Sequence, residues 1–192
     1  MPNMSLILFT PKRFGDARGW FSETFRHDVW HDLGIHDDFV QENQSMSKPQ
    51  DTLRGLHFQL PPKGQAKLVR CLRGALFDVV VDLRQGSPTY GQWLGAELSA
   101  DNGRQLYIPV GFGHGFVTLE PDTEVLYKVS SYYAPDCDRG LAWNDPEIGI
   151  DWSLGDREPL LSDKDTRQPA LAAFDSPFVY DGIPMALREV TL

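Results

Sequence analysis

Residues 75–84 limit what this chain can become. Phe77, Val79, Val81 and Leu83 fall on one side of an extended segment, with Asp78, Val80 and Asp82 on the other. A period of two is the pattern of a β-strand, and an α-helix would scatter these side chains around its axis. One strand cannot satisfy its own backbone hydrogen bonds, so others must pair with it. Residues 6–9, 39–45, 53–59, 67–71, 92–98, 105–109, 115–119 and 123–132 read as further short strands. Between them stand turn-forming stretches: Pro-Pro-Lys-Gly at 61–64, Gly-Ser-Pro at 86–88, Asp-Asn-Gly at 101–103 and Glu-Pro-Asp at 120–122. Residues 25–33 read as a short helix stopped by Gly34. Short strands so spaced predict an all-β sandwich or barrel with a few short peripheral helices. After Pro135 the chain turns irregular and should wrap the barrel as loops and short helical turns.

The 192 residues suffice for one domain with a full core, and no break in composition argues for two. A single domain over residues 1–192 is expected, with 166–192 as a peripheral tail. A net charge of −9 argues against nucleic-acid or acidic-membrane partners, while leaving room for a local basic pocket. Cys71 and Cys137 are the only cysteines, so neither a disulfide framework nor a zinc ribbon is indicated. The apolar run 6–9 is too short for a signal or membrane segment, and a reducing cytoplasm is the expected location. There is no G-x-G-x-x-G, P-loop or H-E-x-x-H motif, and no internal repeat.

Two residues stand out for chemistry. His57 and Lys67 sit on strands joined by the 61–64 turn, and alternation permits both to face the inside of a barrel. An imidazole and an ammonium in one cavity suit proton transfer and stabilisation of an anion. The strand at 39–45 carries Gln41, Asn43 and Gln44 where a plain core strand would be apolar.

Residues 103–114 fit the second cupin motif, G-x5-P-x-G-x2-H, with Thr118 where that motif ends in Asn. The first cupin motif survives in part: His57 stands at its first His, Gln59 replaces its second, and Lys67 replaces its Glu. His57 and His114 alone remain of the usual ligands, and a fixed ammonium would repel a dication. Taken whole, the chain resembles the dTDP-4-dehydrorhamnose 3,5-epimerase family, a metal-free branch of the cupins. The matching pieces include D-x-R-G-x-F-x-E at 16–23, L-R-G-L-H-F-Q at 53–59, A-K-L-V-R at 66–70 and F-D-V-V-V-D at 77–82. They continue with G-H-G-F at 113–116, Tyr127-Lys128, Tyr132-Tyr133, N-D-P at 144–146 and L-S-D-K-D at 161–165.

The resemblance implies a cupin-type jelly-roll barrel that needs no cofactor. It also implies conversion of dTDP-4-dehydro-6-deoxy-D-glucose to dTDP-4-dehydro-L-rhamnose. Both inverted carbons, C3 and C5, lie alpha to the 4-keto group, so the chemistry needs a base, an oxyanion stabiliser and an acid on the far face. By resemblance these are His57 as base with Asp163 as its partner, Lys67 beside the keto oxygen, and Tyr127 as acid. Tyr127 shares parity with Val125 and Val129, which permits an inward position. Arg54, shortly before His57 and on or near the same strand face, corresponds to the family's diphosphate-binding Arg. Arg18, Phe21 and Glu23, with Gln41 and Asn43, match the segment that holds thymidine, part of which comes from the second subunit of a homodimer. Gln59, His114 and Tyr133 would line the sugar pocket. The competing classes are a sibling that inverts one carbon of a related dTDP-4-keto-deoxysugar, a metal-dependent cupin, and a non-enzymatic sugar binder.

Loss of two cupin ligands makes metal independence testable. Prolonged EDTA treatment should leave full activity, and elemental analysis should find no stoichiometric transition metal. Activity that disappears with EDTA and returns with one metal would overturn the expectation.

Overall fold

The computed structural model describes residues 6–191, and in it both faces of each main sheet are covered. The strands are β1 (Leu6–Thr10), β2 (Phe14–Asp16), β3 (Gly19–Phe21), β4 (Gln41–Ser47), β5 (Leu53–Gln59), β6 (Lys67–Arg73) and β7 (Ala75–Asp82). They continue as β8 (Trp93–Ser99), β9 (Gln105–Ile108), β10 (Phe112–Thr118), β11 (Thr123–Val129), β12 (Asp138–Gly140) and β13 (Leu187–Thr191). The one α-helix among the described residues, α1, spans His27–Asp32, inside the expected segment. Two sheets build the jelly roll, in the orders β13-β1-β9-β6-β11-β4 and β12-β5-β10-β7-β8. β2 and β3 form a separate exposed hairpin.

Between the sheets lies a core that includes Leu8, Val69, Leu76, Val80, Leu106 and Phe116. The outer face of the six-stranded sheet packs Ile7, Phe9 and Leu68 against Trp30 of α1 and Ile35. The outer face of the five-stranded sheet packs Val79, Val81 and Leu83 under Leu141, Trp152, Leu171 and Phe178. The alternation of residues 75–84 therefore has an unexpected sense. Its fully apolar face points outward and is roofed by the irregular C-terminal wrap, while the face carrying Asp78 looks into the barrel. Burial on both sides removes the usual link between polarity and solvent.

The C-terminal segment, expected to be peripheral, is joined firmly to the barrel. β13 pairs in parallel with β1 at the sheet edge. Arg84, 1% exposed, holds Asp82 through two hydrogen bonds of 2.9 and 2.8 Å and reaches Asp181 at 2.9 Å. β12 and β13 lack a clear period-two apolar pattern, which is why sequence alone did not mark them as strands.

One irregularity shapes the interior. Arg54 lies three residues before His57, an odd spacing that puts two side chains on opposite faces of a regular strand. Against β10 the register runs His114 to His57 and then Phe116 to Arg54, so β5 carries one extra residue there. This bulge turns Arg54 and His57 to the same side, with Leu53, Leu56 and Phe58 outside. Regular alternation would put Leu53, Gly55 and His57 on one face, and the bulge breaks it.

Gly55 makes the bulge possible. Its φ is +139°, and a Cβ there would lie 2.5 Å from the Gly115 Cα. Gly55→Ala should cost at least about 2 kcal/mol, from an unfavourable backbone conformation and a backbone collision. Urea denaturation would show this as a lower midpoint, and a midpoint equal to the parent's would refute the role given to Gly55.

Candidate active site

The barrel opens at one end into a cleft of about 560 Å³ whose lining includes His57, Lys67, His114, Tyr127, Arg54 and Asp165. The five-stranded sheet supplies Arg54 and His57 from β5 and His114 from β10. The facing sheet supplies Lys67 from β6, Tyr127 from β11, and Gln41 and Asn43 from β4. Cross-strand register sets Asn43 opposite Tyr127, with Gln41 opposite Val129 on the same face. Alternation along β4 sends the amides Gln41 and Asn43 inward, while Glu42 and Gln44 are exposed.

His57 donates from Nε2 to Asp165 Oδ1 at 2.5 Å, which leaves its Nδ1 lone pair free. Asp165 is nearly buried, 3% exposed against 31% for the His57 side chain. Ser162 Oγ donates to its other oxygen at 2.8 Å. Burial opposes ionisation of Asp165, but hydrogen bonds from His57 and Ser162 outweigh it and hold the carboxyl below its ordinary range. The partner of His57 is thus Asp165, not Asp163. Asp163 points to solvent with its side chain 98% exposed and lies 3.9 Å from Arg167. The short 3-10 turn Asp165–Arg167 packs its first residue against β5, and such a turn carries no periodic signal to separate two aspartates two positions apart.

Burial pushes the Lys67 ammonium down to about 8, opposed by Asp78 and Asp138. One of its protons goes to the His57 carbonyl at 3.2 Å. Burial raises the Tyr127 phenol, more than Arg54 and Asn43 lower it, so the hydroxyl keeps its proton at neutral pH. Burial also lowers His114, which donates from Nε2 to Asp78 Oδ1 at 2.6 Å. Gln59 lines the cleft, but its amide is fully engaged. It donates to the Lys63 and Tyr132 carbonyls and accepts from the Ala134 N–H, tying down two rim loops. Tyr133, 58% exposed, stands at the rim, with its hydroxyl 3.3 Å from Asp138.

Arg18, Phe21 and Glu23 are not among the residues lining this cleft. Arg18 pairs with Asp16, Phe21 is 70% exposed, and Glu23 lies 3.4 Å from Arg26. Asp165, Ser162, Asp78, Asp138 and Lys164 were not singled out from the sequence. Of these, Asp78 alone gave a local signal, a carboxylate inside an otherwise apolar strand. Among the described residues no cluster of three or more His, Cys, Asp or Glu side chains converges as a metal site would.

The two aspartates predict opposite outcomes. Asp165→Asn should cut turnover by roughly two to four powers of ten, because His57 loses its orienting carboxylate. Asp163→Asn should stay within about fivefold of the parent, since an exposed pair is worth at most about 1 kcal/mol. The reverse ranking in steady-state rates would reinstate Asp163.

Comparison with known proteins identifies the family of the chain. Residues 4–173 match the family model described as dTDP-4-dehydrorhamnose 3,5-epimerase. A dTDP-4-dehydrorhamnose 3,5-epimerase of Sinorhizobium fredii is 53% identical over 174 residues, covering 90% of this chain and 88% of that protein. The Legionella pneumophila dTDP-6-deoxy-D-glucose-3,5-epimerase, solved in complex with dTDP-4-keto-L-rhamnose, superposes with a TM-score of 0.84. It is 44% identical, and the match covers 89% of this chain and 92% of that one. The Bacillus anthracis enzyme, solved with TDP and PPi bound, is 52% identical with a TM-score of 0.81, covering 84% of this chain and 91% of that one. With a sequence match across most of its length and a cleft built on the same barrel, this chain belongs to the dTDP-4-dehydrorhamnose 3,5-epimerase family.

Proposed function

We propose that this chain is the isomerase that converts dTDP-4-dehydro-6-deoxy-D-glucose to dTDP-4-dehydro-L-rhamnose, and that His57, Lys67 and Tyr127 perform the chemistry. The observation that carries the proposal is the opposition of the two sheets across one cleft. A histidine with a free ring nitrogen enters from one side, and a protonated phenol from the other.

His57 Nδ1 removes the proton alpha to the keto group, and Asp165 offsets the charge that builds on the ring. The electron pair left behind moves onto the C4 oxygen as an enolate. The Lys67 ammonium stabilises that oxyanion in a site largely shielded from water. Tyr127 then donates a proton from the opposite face, and the carbon is inverted. Once His57 has released its proton to solvent and Tyr127 has regained one, the same sequence at the second alpha carbon completes the reaction. Arg54, which holds the Ser47 hydroxyl at 3.2 Å beside the cleft, is the cation for the diphosphate.

The thymidine end calls for a second copy of the chain. Arg18, Phe21 and Glu23 lie outside this cleft, on or just after a hairpin whose Phe14, Trp20 and Phe21 are 55%, 58% and 70% exposed. Aromatic surface of that extent fits an interface. In a homodimer the hairpin of one subunit would close the other's cleft, with Phe21 stacking on the base and Gln41 and Asn43 reading its edge. A reducing cytoplasm suits the two free cysteines, Cys71 and Cys137, and is taken as the location.

Solvent deuterium tests the assignment, followed at C3 and C5 by NMR. His57→Asn should abolish exchange at both carbons, and Lys67→Met should be similarly severe, by roughly two to four powers of ten. Tyr127→Phe should retain exchange while inverted product falls. Exchange in His57→Asn near the parent rate would remove His57 as base, and normal inversion in Tyr127→Phe would make Tyr133 the acid. Sedimentation should give twice the 21.7 kDa chain mass, and a fully active monomer would rule out the shared thymidine site.

A further inference from the structure

A second histidine–carboxylate pair lies deeper in the same cleft and has no task in the chemistry above. The His114 ring is 8% exposed and Asp78 is fully buried. Asp78 rises from β7 between Leu76 and Val80, both members of the barrel core, so its carboxylate stands in an apolar wall. His114 donates to one carboxylate oxygen at 2.6 Å. The other oxygen is buried, and among the described residues no side-chain or backbone donor reaches it. A buried carboxylate with an idle oxygen is unfavourable unless a positive charge stands near.

Among the described residues the one buried lysine is Lys67, 7% exposed on the facing sheet. It has three protons to donate and places one, on the His57 carbonyl. Two buried, opposite, under-satisfied charges therefore share one interior. We propose that Asp78 is a positioning residue for the epimerase: clamped on one oxygen by His114, its carboxylate is the counter-charge that keeps Lys67 protonated and aimed at the substrate's keto oxygen. This rests on the role given to Lys67 under the proposed function.

The surroundings support that assignment over the alternatives. Asp78 opposes the loss of the Lys67 proton more than Asp138 does, and Lys164 acts the other way. Asp138 is already committed, holding Lys164 at 2.5 Å and the Tyr133 hydroxyl at 3.3 Å. His57 faces the cleft with its own carboxylate, Asp165, and Tyr127 brings a neutral phenol. Burial first, with the nearby Lys67 and His57 adding to it, outweighs the opposing pull of Asp78 and keeps His114 neutral. A neutral imidazole can fix the Asp78 carboxylate without cancelling its charge, which remains available to Lys67.

The sign of the effect follows. Lys67 serves the enolate only while protonated, so activity falls as pH rises through its value of about 8. Removing the anion beside it lowers that value and moves the fall to lower pH. The test is Asp78→Asn, nearly isosteric, examined in two ways. The alkaline limb of kcat/KM is followed through solvent-deuterium exchange. The Lys67 titration is followed by NMR of 13Cε-labelled lysine, its signal assigned by disappearance in Lys67→Met.

Both curves should move down by about one pH unit or more in Asp78→Asn. Asp78→Glu should restore most of the shift, and Asp138→Asn should move Lys67 less. An unmoved Lys67 titration in folded Asp78→Asn overturns this inference alone. A moved titration with an unmoved activity limb overturns the role of Lys67, and the positioning role of Asp78 with it. If Asp78→Asn does not fold, Asp78→Ser, smaller and still able to accept from His114, gives the same two readouts.

Discussion

The cleft depends on the place where β5 crosses β10 at Gly55 and Gly115. Backbone approaches backbone there so closely that one added methyl group would collide. The bulge formed at that crossing turns Arg54 and His57 to one side of the sheet. Arg54 and His57, the proposed cation for the diphosphate and the proposed base, are thereby held along one strand, separated by a fixed span of backbone. Strands are stiff, so the relation between the two groups is set by the fold and does not need substrate to create it.

Around that frame the interior alternates in charge. Asp165 stands behind His57, and Asp78 behind His114 and near Lys67, while the Asp138–Lys164 pair closes the rim. Each buried ionised group has an opposite partner or a hydrogen-bonded dipole, as a low-dielectric cavity requires. Such a site has little reorganising to do when an oxyanion forms, which is where preorganised charge lowers a barrier most. Layers outside the barrel cover the outer faces of both sheets. α1 covers one sheet, and the C-terminal wrap, anchored by Arg84 to Asp181, covers the other.

The exposed hairpin is the counterpoint to this closed interior. Trp20, Phe21 and Arg18 face solvent in a single chain, although the 16–23 motif that carries them is one of the pieces by which the chain resembles the family. The homodimer proposed above, with each site finished by the neighbouring subunit, would explain both facts and would tie substrate binding to assembly.

The strand pattern, the turn residues and the paired His57 and Lys67 were legible in the sequence, because period-two alternation and turn chemistry are local properties. So was the parity of Tyr127, which follows from the same period, whereas the inward turn of Gln41 and Asn43 emerged only from the pairing of β4 with β11. Three further things were decided only by tertiary structure. The bulge at Gly55 set which faces Arg54 and His57 share, and it arises from pairing with β10. The inward face of residues 75–84 proved to be the one bearing Asp78, because a distant segment roofs the apolar side. The carboxylate behind His57 proved to be Asp165 and not Asp163, because a short turn in irregular chain points its side chains by packing. Local periodicity fixes what a strand is, whereas long-range contacts fix what each of its faces meets.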